Sequence, residues 1–303
     1  MRESESRIRR LFGHLHQGTL IERIREEWRA HIKARRTLWW QKQTGKRESV
    51  VFDLQPGLRM MLYFDSRLSR EIYCGSFESK ERQFINRYLR PGEIFVDVGA
   101  NIGMFTLIAS QRVGQQGRVY AFEPCSVTYS RLVGNVDLNG LKNVKCLQIA
   151  LSDRSGESAM NVSLDGYDAW NSFAQPAAGN SFAQEKVCAA RWDDFAVEHH
   201  LAGRASLMKI DVEGWESHVL SGGREFFGRP DAPVLQIEFT DEASQSAGTS
   251  CEALYRQLEA LGYRMFIYEA KTRKLIPDPL RERYPYLNLF AVKQPEEVQA
   301  RLE

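Results

Sequence analysis

The segment Asp97-Val-Gly99-Ala100-Asn101-Ile-Gly103 is the first place where residue types and spacing point to chemistry. It follows a short apolar run, Ile94–Val98, and precedes a segment with helical character, Met104–Arg112. Glycines at such a junction let the backbone turn tightly and approach a ligand, and a helix starting there offers unpaired N–H groups. Dinucleotide-binding loops use G-x-G-x-x-G to cradle a pyrophosphate. Here Asn101 occupies the place of the second glycine, and Asp97 stands just ahead of the first. A ligand with a cationic amino group accounts for both departures better than a pyrophosphate does.

Two further acidic positions fall in step with this loop. Val119–Phe122 ends in Glu123-Pro124, about 20 residues beyond Gly103, where a carboxylate accepts paired hydrogen bonds from a ribose diol. Lys209-Ile-Asp211-Val-Glu213-Gly214 closes another apolar run, and alternation along a strand would put residues 209, 211 and 213 on one face. Glu238 ends the next run at the same expected sheet edge. Charges on an apolar strand are costly to bury unless paired or functional. Asp211, Glu213 and Glu238 are therefore the candidate catalytic residues, able to deprotonate an acceptor hydroxyl, hold a divalent cation or pair with Lys209. No dedicated metal ligand set is assigned. S-adenosylmethionine, with an amino group, a carboxylate and a ribose diol, is the cofactor that suits the loop and Glu123 together.

The elements that must position these groups follow from the patterning. Apolar runs at Ile94–Val98, Val119–Phe122, Val144–Ile149, Leu207–Val212 and Val234–Phe239 alternate with helical segments, the signature of a parallel sheet with crossover helices. Tyr263–Tyr268 and Leu287–Val292 lack a helix between them and should pair antiparallel. The fold class expected is α/β and Rossmann-like, a seven-stranded, mostly parallel sheet with one antiparallel strand. Ahead of it, Ser49–Gln55 and Arg59–Asp65 flank Pro56-Gly57 as a hairpin. Residues 1–70 thus read as a basic helix and hairpin appendage, and residues 71–303 as the main domain. The stretch 154–186, rich in Gly, Ser, Asn and Ala, reads as an insertion, either a lid facing substrate or a plain hairpin.

Charge is unevenly spread. Residues 1–48 carry 13 Lys/Arg against 6 Asp/Glu, whereas the remainder is net acidic, within an overall charge of +2. A capping box at Thr19 and Glu22 and the stripe Ile21, Ile24, Trp28, Ile32, Trp39 describe a basic amphipathic helix. Such a helix docks on its own domain, on a second copy in a homo-oligomer, or on an anionic membrane surface. Five scattered cysteines without a paired spacing suit a reducing compartment, and no apolar leader region follows the first basic residues. A cytoplasmic protein, peripheral at most to the inner membrane face, is the expectation. The acidic catalytic half carries no basic, aromatic-interleaved stripe, which argues against nucleic acid as partner.

Taken together, Asp97–Gly103, Phe122-Glu-Pro124, Ala150-Leu-Ser-Asp153, Trp192-Asp-Asp-Phe195 and Lys209–Gly214 resemble, in order, the signature blocks of the FkbM methyltransferase family. The resemblance covers roughly residues 71–293. It implies a class I methyltransferase fold, S-adenosylmethionine as methyl donor and O-methylation of a natural product or glycan, with glycolipid among the possible acceptors. By that resemblance Asp97, Gly99, Ala100, Asn101, Gly103 and Glu123 hold the cofactor, with adenine near Ala150 and Leu151. A nicotinamide-dependent oxidoreductase and a non-catalytic glycan-binding protein are the rival readings.

Overall fold

The computed structural model describes residues 27–75, 77–164, 171–174 and 181–303. The capping box at Thr19 and Glu22, together with Ile21 and Ile24, lies outside them. The described residues open with helix α1 (27–43) and the hairpin β1 (Ser49–Gln55) and β2 (Leu58–Tyr63), which turns at Gly57 with φ +75°. Next come α2 (Arg67–Cys74) and α3 (Ser79–Tyr88). Strands and helices then alternate: β3 (Ile94–Val98), α4 (Met104–Val113), β4 (Arg118–Phe122), α5 (Ser126–Leu138), β5 (Val144–Leu147).

A smaller sheet interrupts this rhythm. It consists of β6 (Ala150–Leu151), β7 (Gly156–Ser163) and β8 (Phe182–Ala190), in the order β6-β8-β7. The alternation resumes with α6 (Trp192–Glu198), β9 (Ala205–Ile210), α7 (Glu216–Gly222), α8 (Arg224–Gly228) and β10 (Val234–Phe239). The chain closes with α9 (Asp241–Ser246), α10 (Cys251–Ala260), β11 (Arg264–Glu269), β12 (Lys274–Pro277), β13 (Leu287–Val292) and α11 (Pro295–Leu302).

The main sheet has the order β12-β11-β13-β10-β9-β3-β4-β5. Its five-strand half is parallel, and β13 enters antiparallel between β10 and β11. The expectation of seven strands is corrected to eight among the described residues. The Pro-rich connection from Tyr268 to Leu287 contains β12, which pairs antiparallel with the edge strand β11. Two strands, not one, therefore run against the parallel set.

Residues of the central strands β3, β9 and β10 are buried on both faces, as a sheet covered by helices on each side requires. Two apolar layers result. One gathers Phe95, Leu107, Leu132 and Phe290; the other gathers Val96, Met208, Trp192 and Phe239. The hairpin β1–β2 joins the first layer through Leu58, Met60 and Leu62, all nearly inaccessible to solvent. Helix α1 reaches the same layer at its C-terminal end. Trp40 is buried with its ring centroid 4.4 Å from that of Phe64, Trp39 stacks on Tyr73 at 5.1 Å, and Arg36 donates to the Tyr73 carbonyl at 3.0 Å. Trp28 and Leu38 on the same helix remain exposed. No helix among the described residues is long and apolar enough to cross a membrane.

The tie between α1 and the main core has a measurable stability. Trp40→Ala is expected to cost about 3–5 kcal/mol, as buried aromatic truncations do, read from urea unfolding followed by fluorescence.

Candidate active site

A cavity of about 280 Å³ opens at the carboxyl ends of β3, β4, β9 and β10, the edge where open α/β sheets receive ligands. Its floor is the loop after β3. Gly99 adopts φ +76°, and a Cβ there would fall 1.9 Å from the Asp211 carbonyl oxygen, so the glycine lets the loop seat against the end of β9. Asn101 follows in a left-handed conformation (φ 51°), and its backbone N–H donates to Glu123 Oε2 at 2.8 Å. Gly103, at φ 93°, caps α4. A Cβ there would meet Leu132 of α5 at 2.6 Å, so this glycine serves helix packing and does not line the cavity.

Glu123 sits just past β4 and is held from two sides. Besides the Asn101 N–H, it accepts from Cys125 N at 3.1 Å and Thr128 Oγ1 at 2.7 Å, both on Oε1. Its carboxylate is thereby fixed on the cavity wall next to the glycine loop. Ala150 and Leu151, in β6, line the same wall with Phe122 and Ile149, giving an apolar surface.

Asp97 takes a different position from the one its place in the loop suggests. It is fully buried beneath the cavity lining, where Thr106 Oγ1 donates to its Oδ2 at 2.6 Å. Across the sheet its register partner is Lys209, whose ammonium lies 3.9 Å from Asp97 Oδ1 and 2.9 Å from Asp211 Oδ2. The same ammonium donates to the Gly99 carbonyl at 3.4 Å. Lys209 thus ties the loop, β3 and the end of β9 to one charge.

Asp211, Glu213 and Glu238 come together, each offering a carboxylate oxygen within 4.8 Å of the others. Strand alternation is not what brings Glu213 there. Strand β9 ends at Ile210, and Glu213 sits in a turn at φ 52°. Glu216 Oε1 ties that turn by accepting from Val212 N at 2.9 Å and Gly214 N at 3.3 Å. Ser172 of the 154–186 insertion donates to the Glu213 carbonyl at 2.8 Å, and residue 172 is in turn bridged to Asn161 of β7. Residues 171–173 therefore form part of the cavity wall, on a segment carried by a hairpin.

Burial raises Asp211, but the Lys209 charge and its hydrogen bond, with the Glu238 carboxyl nearby, bring it below the ordinary carboxylate range. Lys209 itself loses charge stability on burial, yet Asp211, Asp97 and Glu78 more than restore it and hold it protonated. Desolvation pushes Glu213 and Glu238 well above the usual range, and the neighbouring carboxylates add to the effect. Asp211 is the member of the cluster held most firmly in its ionised form.

Glu78 and Tyr286 complete the acidic end and were not singled out in the sequence. Tyr286 Oη donates to Glu78 Oε1 at 2.7 Å, and Asn288 Nδ2 donates to the same oxygen at 3.1 Å. Burial, reinforced by Asp211, pushes Glu78 up to about 7. Glu78 stands immediately before α3 and Tyr286 immediately before β13, and neither position marks a charge or hydroxyl as functional. Only the fold brings them to β9.

Six carboxylates line the cavity (Glu71, Glu78, Glu123, Asp211, Glu213 and Glu238) against one ammonium, Lys209, among the described residues. That balance repels a pyrophosphate and welcomes a cation, which removes the physical basis for a dinucleotide reading. Residues 97–265, more than half the sequence, match the family model described as the methyltransferase FkbM domain. The chain belongs to the FkbM methyltransferase family.

Within this family the chain is 31% identical over 142 residues to "Methyltransferase 1" of Beauveria bassiana (strain ARSEF 2860), covering 42% of this chain and 57% of that protein. It is 31% identical over 161 residues to the 31-O-demethyl-FK506 methyltransferase FkbM of Streptomyces tacrolimicus, covering 44% and 60%. With the 2-O-methyltransferase NoeI of Sinorhizobium fredii (strain NBRC 101917 / NGR234) it shares 27% over 173 residues, covering 53% and 69%. The chain spans about three fifths of the length of the first two of these relatives. A solved structure of the methyltransferase FkbM from Methylobacillus flagellatus KT aligns with a TM-score of 0.39 and 16% identity, over 74% of this chain and 54% of that one.

Removing the shared cation of this FkbM-family site should be felt throughout the fold. Lys209→Met leaves Asp97 and Asp211 without their partner and is expected to cost about 3–5 kcal/mol in chemical denaturation, the penalty of breaking a buried ion pair from one side.

Proposed function

We propose that the protein transfers a methyl group from S-adenosylmethionine to a hydroxyl oxygen, with a sugar, glycan or glycosylated natural product as acceptor. One observation carries this reading: a single cavity joins the glycine loop and Glu123 to the carboxylate cluster of Asp211, Glu213 and Glu238. Family membership supports it, and the relatives named above as O-methyltransferases favour oxygen as the accepting atom.

The residues fit the donor. The Asn101 turn would bring backbone close to the donor, Glu123 would accept from its ribose diol, and Ala150 and Leu151 would lie along its adenine. Acidic residues at the other end suit a cationic ligand, and Asp97 acts from below by fixing Lys209. S-adenosylmethionine, when bound, supplies a methyl group on a sulfonium that already favours transfer. The protein then has to hold the acceptor oxygen in line with the carbon–sulfur bond and exclude water, worth up to about 7–11 kcal/mol. The new bond is carbon–oxygen, sulfur keeps the electron pair of the broken bond, and the hydroxyl proton leaves to a carboxylate. Asp211 is the proton acceptor because Lys209 keeps it ionised; Glu213 stands beside it, and Glu238 orients the pair.

Calorimetry is expected to show binding of S-adenosylhomocysteine and none of NAD; the reverse pattern rejects the reading. Glu123→Gln should weaken S-adenosylhomocysteine by about 10–100-fold, the worth of a hydrogen bond to a charged group. Asp211→Asn should lower turnover by roughly 10²–10⁴-fold with donor affinity unchanged. Equal turnover in that variant would remove Asp211 from the mechanism. Mass spectrometry of cell glycans and lipids incubated with the donor identifies the acceptor by a gain of about 14 mass units, one CH₂.

A further inference from the structure

The cluster gathers more carboxyl groups than one ammonium among the described residues can pair. Glu78, Asp211, Glu213 and Glu238 face the same end of the cavity, and their one ammonium, Lys209, is shared with Asp97. Glu238 provides a separate sign that something is received there. Its side chain is only 3% exposed, its Oε1 accepts from Thr240, and its Oε2 has no hydrogen-bond partner. A buried, orphaned carboxylate oxygen costs free energy unless a donor or a cation meets it.

We propose that Asp211, Glu213 and Glu238 bind one divalent cation of the hard class, Mg²⁺ or Mn²⁺, between the donor loop and the acceptor. The spacing fits. Two oxygens on adjacent corners of an octahedron around Mg²⁺ lie about 3.0 Å apart and two on opposite corners about 4.2 Å, both inside the separation of these three carboxylates. The donor set is all oxygen and all anionic, which selects Mg²⁺, Mn²⁺ or Ca²⁺ over softer metals. Lys209 engages Asp211 through Oδ2, one of its two carboxylate oxygens. A proton neutralises one carboxylate, whereas a divalent cation offsets two charges and satisfies the orphaned Glu238 oxygen together.

This proposal rests on the methyl-transfer reading and narrows its acceptor. Three carboxylate oxygens leave about three of six octahedral positions open. An acceptor presenting two neighbouring oxygens, such as a vicinal diol, would fill two of them and hold the hydroxyl to be methylated against the donor.

The test uses Mn²⁺ with the full-length protein, free ion being measured by electron paramagnetic resonance and S-adenosylhomocysteine binding by calorimetry on the same samples. Expected is one saturable Mn²⁺ site per chain, weakened at least tenfold in both Glu238→Gln and Glu213→Gln and unchanged in Glu259→Gln, a surface control. S-adenosylhomocysteine binding in the two site variants shows that they are folded. The absence of a saturable site, or wild-type Mn²⁺ affinity in both site variants, overturns the proposal, and the methyl-donor reading survives wherever S-adenosylhomocysteine still binds. If Mn²⁺ binds as expected while wild-type protein fails to bind S-adenosylhomocysteine, the cation site stands and the donor reading falls.

Discussion

One buried ammonium sets the terms for the rest of the site. Lys209 lies on β9 with almost no solvent access, and Asp97, Asp211 and the Gly99 carbonyl are its direct partners in offsetting that desolvation. Those partners belong to β3, to the chain just past β9 and to the glycine loop. Satisfying one charge therefore fixes the relation of the two central strands and the height of the loop above them. Gly99 follows from the same constraint, because any side chain there would collide with the backbone at Asp211. Asp211 is ionised for the same reason, while Glu213 and Glu238, lacking such a partner, are driven toward their protonated forms.

Much of this was legible in the sequence where local rules act alone. The five parallel strands fall within a residue or two of the apolar runs, because a strand covered on both faces must be apolar throughout. Gly99, Asn101 and Glu123 could be singled out because a strand–turn–helix unit places its ligand contacts at fixed offsets. Sequence reasoning failed where tertiary contacts decide. Asp97 reads as a ligand contact from its spacing, yet it lies under the loop, since its register neighbour is a lysine that needs it. Strand β12 was hidden in a Pro-rich connection, where pairing with an edge strand overrides weak local propensity. Glu213 was assigned to the right cluster for the wrong geometric reason, because a left-handed turn and not strand alternation aims it there.

The acidic end of the cavity shows the same division. Asp211 and Glu238 end apolar strands and announce themselves as charges in costly places. Glu78 and Tyr286 come from segments more than 200 residues apart, and only the closing of β13 against β10 brings them to one hydrogen bond. The appendage is likewise less separate than its composition implies. Its basic residues mark a distinct face, but Trp39, Trp40 and the hairpin residues contribute to the apolar layer under the central strands.

The hairpin β7–β8 has an evolutionary consequence. Its root is shared with β6, so the strand that carries Ala150 and Leu151 depends on β8 for its pairing. Its far end supplies Ser172 to the backbone beside Glu213. Changes near the root disturb the donor wall and are open to purifying selection for that reason alone. Changes around residues 172 and 173 reach both the backbone beside Glu213 and, through Phe173, the apolar cluster that holds Ala150. One hairpin thus couples the two ends of the cavity, so a substitution in it is constrained from both sides.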